Sequence, residues 1–188
     1  VRATVASAPP PSGAVAAEVA AIYLGAGLGA PAGQPLRAPH YTVSAAALVG
    51  TVSRQGLWYG ALCDCRHAAE RHLHGGLAER CRDCACARYS GQRRARPGEA
   101  SLAHGGVLLL DDLPEFPRAS IEALAAVLRD GYSRIGAVEI PARCRVIATA
   151  LPCPCGWSGT DRGCACTPDM RHRYTARVAA YSTRLGLS

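Results

Sequence analysis

The stretch that decides the fold is Arg96–Phe116, RPGEASLAHGGVLLLDDLPEF. Within it, Val107–Leu110 is an unbroken apolar run, the pattern of a strand buried on both faces of a parallel sheet. Asp111 and Asp112 follow at once. A rigid strand therefore delivers two carboxylates at its carboxyl end, where open α/β sheets bind their ligands. A magnesium–nucleotide site uses this arrangement. The first acid holds Mg²⁺ through water, and the second polarises an attacking water. A strand ending in a solvated acidic turn would show the same letters, and the run alone does not separate the two readings.

Downstream, Phe116–Asp130 reads as a helix, with Pro117 in its first turn. Ile121, Leu124, Ala125 and Leu128 form one apolar stripe, which is core packing, and Gly131 ends the helix. Tyr132–Ile140 fits a hairpin or an extended link, and Arg145–Leu151 reads as a second buried strand. Thr167 and Pro168 open a last helix as cap and first-turn proline. Met170, Tyr174, Val178 and Tyr181 share one of its faces, while Arg171, Arg173 and Arg177 lie largely off that face and read as solvated.

Upstream, Val1–Ala6 reads as a short strand and Pro9–Gly13 as a turn. Ala14–Tyr23 is a helix with Val15, Val19 and Ile22 on one face and Gly25 as its stop. Gly25–Pro39 is a Gly/Pro-rich loop, and Ser44 is placed to cap a short helix through Val49. His40 stands alone, and a backbone hydrogen bond is its expected use.

The chain has ten cysteines among 188 residues, and many come as C-x-C or C-x-x-C pairs. With no export signal in VRATVASAPPPSG, a cytoplasmic setting is expected. There, close pairs are thiolate metal ligands or plain reduced thiols. Cys153, Cys155, Cys164 and Cys166 form two C-x-C pairs joined by a short Gly-rich loop, which brings four sulfurs together at low closure cost. Disulfides between residues i and i+2 are strained, whereas a four-cysteine zinc site is chemically sound. Reduced thiols around a turn remain the other reading. Cys144 stands apart as a small buried residue.

Residues 53–95 are rich in Cys, His and Arg: Cys63, Cys65, Cys81, Cys84 and Cys86, with His67, His72 and His74 among eight arginines. The spacing fits either a zinc-stapled basic finger or a segment with too little apolar surface to fold.

All 21 basic residues are arginine, there is no Lys or Asn, and the formal charge is +7. Arginine favours phosphate and nucleic-acid contacts, but an Ala/Gly/Pro-rich chain of this kind also reflects codon bias. Hydrophobic residues make up 49% and aromatics 5%, so the core must be built from Ala, Val and Leu. No stretch is long and apolar enough to span a membrane.

The words around the acidic pair resemble the Walker B segment of the magnesium-chelatase-like AAA+ ATPases, in particular the ComM/YifB competence branch. EVAAIYLGAGL at 18–28, LRAPHYTVSAAALVG at 36–50, IPARCRVIATALPCPCG at 140–156 and CACTPDMRHRYTAR at 164–177 are similar to further words of that family, in the same order. The resemblance implies an incomplete, parallel-sheet, P-loop-NTPase-like AAA+ core over residues 1–188, interrupted by the insertion at about 53–95. It implies ATP and Mg²⁺ as cofactors, a homo-oligomeric ring and DNA-related remodelling. By position it assigns Mg²⁺ binding to Asp111 and water activation to Asp112; Arg184 falls near its arginine finger with a one-residue gap and without the flanking acids, and Thr149 is the polar side chain nearest its sensor position.

Several departures point the other way. APPPSGAV at 8–15 stands where a phosphate-gripping loop would be, yet the Lys and Ser/Thr positions hold Ala14 and Val15. Leu151 replaces the sensor Asn, which leaves Thr149 as the nearest polar side chain. Asp112 replaces a Glu, and one methylene less moves a carboxylate by about 1.5 Å, where errors of about 1 Å already matter. The expectation is therefore negligible ATPase activity for this chain alone. The alternative is a non-catalytic, zinc- or nucleic-acid-binding descendant.

Overall fold

The computed structural model describes residues 10–54 and 93–187. Two expectations lie outside them: the strand at Val1–Ala6, and the finger built on Cys63–Cys86 and its histidines. The chain divides into two compact units, residues 52–96 and the remainder.

Helix α1 (Gly13–Gly25) is Ala-rich and buries Val19, Ile22 and Tyr23. The expected face loses Val15, which stays 37% exposed in the first turn. Strand β1 (Leu36–Arg37) is short, and α2 (Ala45–Val49) is capped by Ser44, whose Oγ accepts from the Ala47 amide at 3.2 Å. Strands β2 (Gly50–Arg54) and β3 (Arg93–Pro97) form a two-stranded sheet. Next come α3 (Glu99–Leu102), β4 (Val107–Leu110), a 3-10 turn at Leu113–Glu115, and α4 (Arg118–Asp130). The β5–β6 pair (Tyr132–Ile135 and Val138–Pro141) is an antiparallel hairpin, as the sequence allowed. Strand β7 (Arg145–Ala148) and helix α5 (Pro168–Leu185) complete the chain.

The central sheet runs β1-β4-β7, parallel throughout, with Leu36 opposite Val107 and Leu110 opposite Ala148. β4 sits in the middle and all four of its residues are buried. Alternation sends Leu108 and Leu110 into a cluster with Leu48, Leu113, Phe116, Ile121 and Leu124, while Val107 and Leu109 are buried on the opposite face. Burying each such side chain contributes roughly 1.5–3 kcal/mol.

Two glycines of the deciding stretch are there for space. A Cβ at Gly106 would lie 2.0 Å from the Pro35 carbonyl oxygen, which accepts the first β1–β4 hydrogen bond from Val107. A Cβ at Gly98 would lie 2.4 Å from the Leu48 carbonyl oxygen and the Gly50 amide.

Three expectations need correction. β7 ends at Ala148 rather than Leu151, and it is half-buried rather than buried. Among the described residues it is one of the two outer strands, hydrogen-bonded on its β4 side alone. Pro117 stands at the N-cap of α4 rather than inside it, because α4 begins at Arg118. In α5, Met170 is 47% exposed, so the apolar face engages only from Tyr174 onward. No helix among the described residues is long and apolar enough to cross a membrane.

Candidate functional site

Strand β4 ends at Leu110, and the two acids occupy the turn just beyond it, beside the end of β7. Thr149 closes that corner. Its amide donates to Leu110 O (3.0 Å), and its carbonyl accepts from the Leu113 amide (2.8 Å). Its hydroxyl donates to Asp111 Oδ1 at 2.6 Å and accepts from the Asp112 amide at 3.1 Å. One threonine thus fixes the Asp111 carboxylate and the backbone that carries Asp112. Asp111 is exposed, while Asp112 is half-buried.

Asp112 has a left-handed backbone, with φ 57° and ψ 56°. Asp tolerates this region better than most side chains because its short carboxylate is accommodated in turns. The left-handed residue leads the chain directly into the Leu113–Glu115 turn.

Helix α5 lies across that turn. Arg177 Nη1 reaches Pro114 O at 3.4 Å, and the Tyr181 hydroxyl reaches Phe116 O at 3.4 Å. The Tyr174 hydroxyl accepts from the Leu151 amide at 3.0 Å, and burial pushes its pKa up. An open cavity of about 500 Å³ runs along β7 from Val146 to Ala150 and is closed by Val178, Ser182 and Gly186 of the α5 end.

Arg184 is not brought to the acids. It lies nearer the C-terminal end of α5, in a depression with Arg118, Ile121, Glu122 and Tyr181. The structure therefore joins three of the four expected site residues and places the fourth on a separate, exposed surface.

The four cysteines do converge. Cys153 Sγ lies 3.4 Å from Cys155 Sγ and 3.6 Å from Cys164 Sγ, Cys155 and Cys164 are 3.6 Å apart, and all four sulfurs fall within 4.8 Å of one another. Cys153 and Cys166 are buried, and the other two are half-buried. Such a group has the donors to hold a metal ion. Hydrogen bonds from the Trp157 backbone and from Cys153 bring the Cys155 thiol down to about 6. Burial, reinforced by contact with Cys155, pushes Cys166 up to about 12. Cys144 stays outside the cluster, half-buried, and burial raises it to about 11.

His104 carried no signal in the sequence beyond being a lone histidine in the deciding stretch. It is 2% exposed, accepts from the Arg143 amide at Nδ1 (3.1 Å), and meets Glu18 at Nε2 (2.7 Å). Because Nδ1 accepts, Nε2 carries the hydrogen and donates to the carboxylate. Arg37 makes a paired contact with Glu99 at 2.6 and 2.9 Å, tying β1 to α3. Both are structural links between elements far apart in sequence. His40, by contrast, behaves as expected, with Nδ1 accepting from the Thr42 amide at 3.3 Å.

The family described as magnesium chelatase, subunit ChlI, matches residues 82–186, more than half of the chain. The chain belongs to the magnesium chelatase ChlI family. Its relatives put it on the YifB/ComM side of that family. Uncharacterized protein YifB of Escherichia coli is 42% identical over 88 residues, or 44% of this chain and 17% of its own length. Competence protein ComM of Haemophilus influenzae is 40% identical over 89 residues, 45% of this chain and 17% of its own. A protein of Mycobacterium tuberculosis is 37% identical over 93 residues, 47% of this chain and 18% of its own. The chain thus spans less than a fifth of the length of these relatives. Among solved structures, an MCM homolog from Methanopyrus kandleri aligns over 79% of this chain and 25% of its own, with 17% identity and a TM-score of 0.38. NtrX from Brucella abortus aligns over 98% of this chain and 33% of its own, with 16% identity and a TM-score of 0.41. The ChlI match begins at residue 82, so EVAAIYLGAGL and LRAPHYTVSAAALVG lie outside it.

Proposed function

We propose that this chain supplies the magnesium and sensor side of an ATP site of the magnesium chelatase/ComM type. The observation that carries the reading is the 2.6 Å hydrogen bond from Thr149 to Asp111, made where two adjacent parallel strands end. Asp111 would hold Mg²⁺ through water, and the ion would neutralise charge on the phosphates. Asp112, half-buried on its twisted backbone, is the carboxylate placed to orient a water. Thr149 holds both acids in register. Arg184, exposed near the end of α5 beside Arg118 and Glu122, suits a role towards a neighbouring subunit of a ring better than one in its own site. ATP-driven remodelling of DNA in the cytoplasm is the setting this reading takes from its family.

By itself the chain should not turn ATP over. The sequence contains no Lys to reach the β- and γ-phosphates, and α1 begins at Gly13 with Ala14 and Val15 where a grip would need Lys and Ser/Thr. Mg²⁺-dependent binding of a fluorescent ATP analogue should be weak and should vanish in Asp111→Asn, with turnover at background in both. No Asp111-dependent nucleotide binding would overturn the half-site. Robust Asp111-dependent turnover would overturn the inactivity.

A second reading, a non-catalytic zinc- and nucleic-acid-binding module, is favoured by the arginine-only basic composition. It requires salt-sensitive DNA binding that weakens when Arg93 and Arg94 are substituted.

A further inference from the structure

We propose that Cys153, Cys155, Cys164 and Cys166 bind one zinc ion in a closed, structural tetrathiolate site that staples the loop between β7 and α5. The inference stands apart from the nucleotide reading and holds whether or not ATP is bound.

Geometry carries it. A tetrahedral zinc with Zn–S bonds of about 2.3 Å has sulfur–sulfur edges of about 3.8 Å. The observed separations of 3.4, 3.6 and 3.6 Å, with all four sulfurs inside 4.8 Å, form a cage of nearly that size. A disulfide would need about 2.05 Å, and none of these pairs approaches it. The cage is also lined as a thiolate site should be. The Ser158 amide donates to Cys153 Sγ at 3.3 Å, and the Cys166 amide donates to Cys164 Sγ at 3.4 Å. Backbone N–H donors pointed at sulfur favour the deprotonated ligand and fix its direction.

Four sulfur ligands leave no open position for water or substrate, so the site is structural rather than catalytic. Its place in the chain says what it holds. Between Ala148 and Pro168 there is no helix or strand. Thr149, at one end of this stretch, fixes the acidic corner. At the other end Thr167 caps α5, accepting from the Met170 amide at 3.2 Å. A metal joining Cys153 and Cys155 to Cys164 and Cys166 closes the stretch within a few residues of both anchors. Thiol protons leave to solvent as the ion binds, so acid should release it.

The test is metal analysis of the full chain purified without chelator, alongside Cys155→Ser and Cys144→Ser variants. Cys155 is half-buried, and far-UV circular dichroism would check that its substitution leaves the fold in place. The Cys155→Ser chain should carry one zinc fewer than the parent, and Cys144→Ser should carry the same number. The comparison is made as a difference so that any metal held by residues 53–95 cancels. Cobalt titration of the parent should give intense sulfur-to-cobalt bands and a tetrahedral visible spectrum. Both should be reduced in Cys155→Ser and restored as tetrahedral binding in Cys155→His. Equal zinc in the parent and Cys155→Ser, iron in place of zinc, or intact-mass evidence for disulfides among these four residues would each overturn the proposal.

Discussion

The acidic corner and the cysteine loop share one short stretch of chain, since Thr149 closes the first and Cys153 opens the second four residues later, yet they are held in different ways. Asp111 and Asp112 stand on the central strand of a parallel sheet, and the Thr149 backbone and hydroxyl complete the corner with four hydrogen bonds. The stretch from Pro152 to Cys166 has no sheet or helix to lean on. It turns instead on local contacts such as the Gly156 amide to Cys153 O (2.9 Å), and it gathers around sulfur. The corner is rigid because its backbone is already satisfied, while the loop depends on what its side chains bind.

Breaking the sheet should produce the largest effect. Leu110→Ala empties a fully buried position directly before the acids and should cost about 3 kcal/mol, read as a lower urea midpoint. Because α5 packs on the same core through Leu185 and Tyr181, the loop should loosen with it. Removing metal should do the reverse, loosening the loop alone. With a chelator, hydrogen exchange across 150–166 should rise by about tenfold or more, with Val107–Leu110 unchanged. Equal acceleration in both regions would erase the distinction between corner and loop.

Thr149→Val should act on the corner alone. It removes the acceptor of the Asp112 amide and the donor to Asp111, at a cost of about 1 kcal/mol. Thr149→Ser should recover most of it, and zinc content should not move in either variant.

The smallest effect belongs to the exposed Arg118–Glu122 pair on α4. The hydrogen bond from Arg118, aided by its charge, holds the Glu122 carboxyl below its ordinary value. A depressed carboxylate contributes above its unfolded pKa and loses that contribution as pH falls through the folded one. Arg118→Gln should therefore raise the Glu122 pKa in an NMR titration. Both side chains are exposed, so stability should not change measurably.

Much of this was legible from the letters. The VLLL run, the stripe Ile121-Leu124-Ala125 and the Ser44 and Thr167 caps report local periodicity or local hydrogen bonding, which sequence encodes directly. The convergence of the four cysteines was legible for the same reason, since two C-x-C pairs nine residues apart, Cys155 to Cys164, have little conformational space in which to separate. The misreadings sit where neighbours decide. β7 carries the letters of a buried strand but is an outer one, and burial depends on what stands alongside. Val15 has the right phase for its helix face but lies in the first turn, where the core does not reach.

The sequence by itself determined the central strand, the acids at its end, every described helix but Glu99–Leu102, the sulfur cluster and the absence of any lysine, because these follow from residue type and short spacing. Only the tertiary structure decided that Thr149 bonds Asp111, that Arg184 sits in a depression with Arg118 and Glu122, and that His104 and Glu18 meet across 86 residues of chain. Those pairings are set by the register and packing of distant elements, and no local pattern of side chains encodes a register.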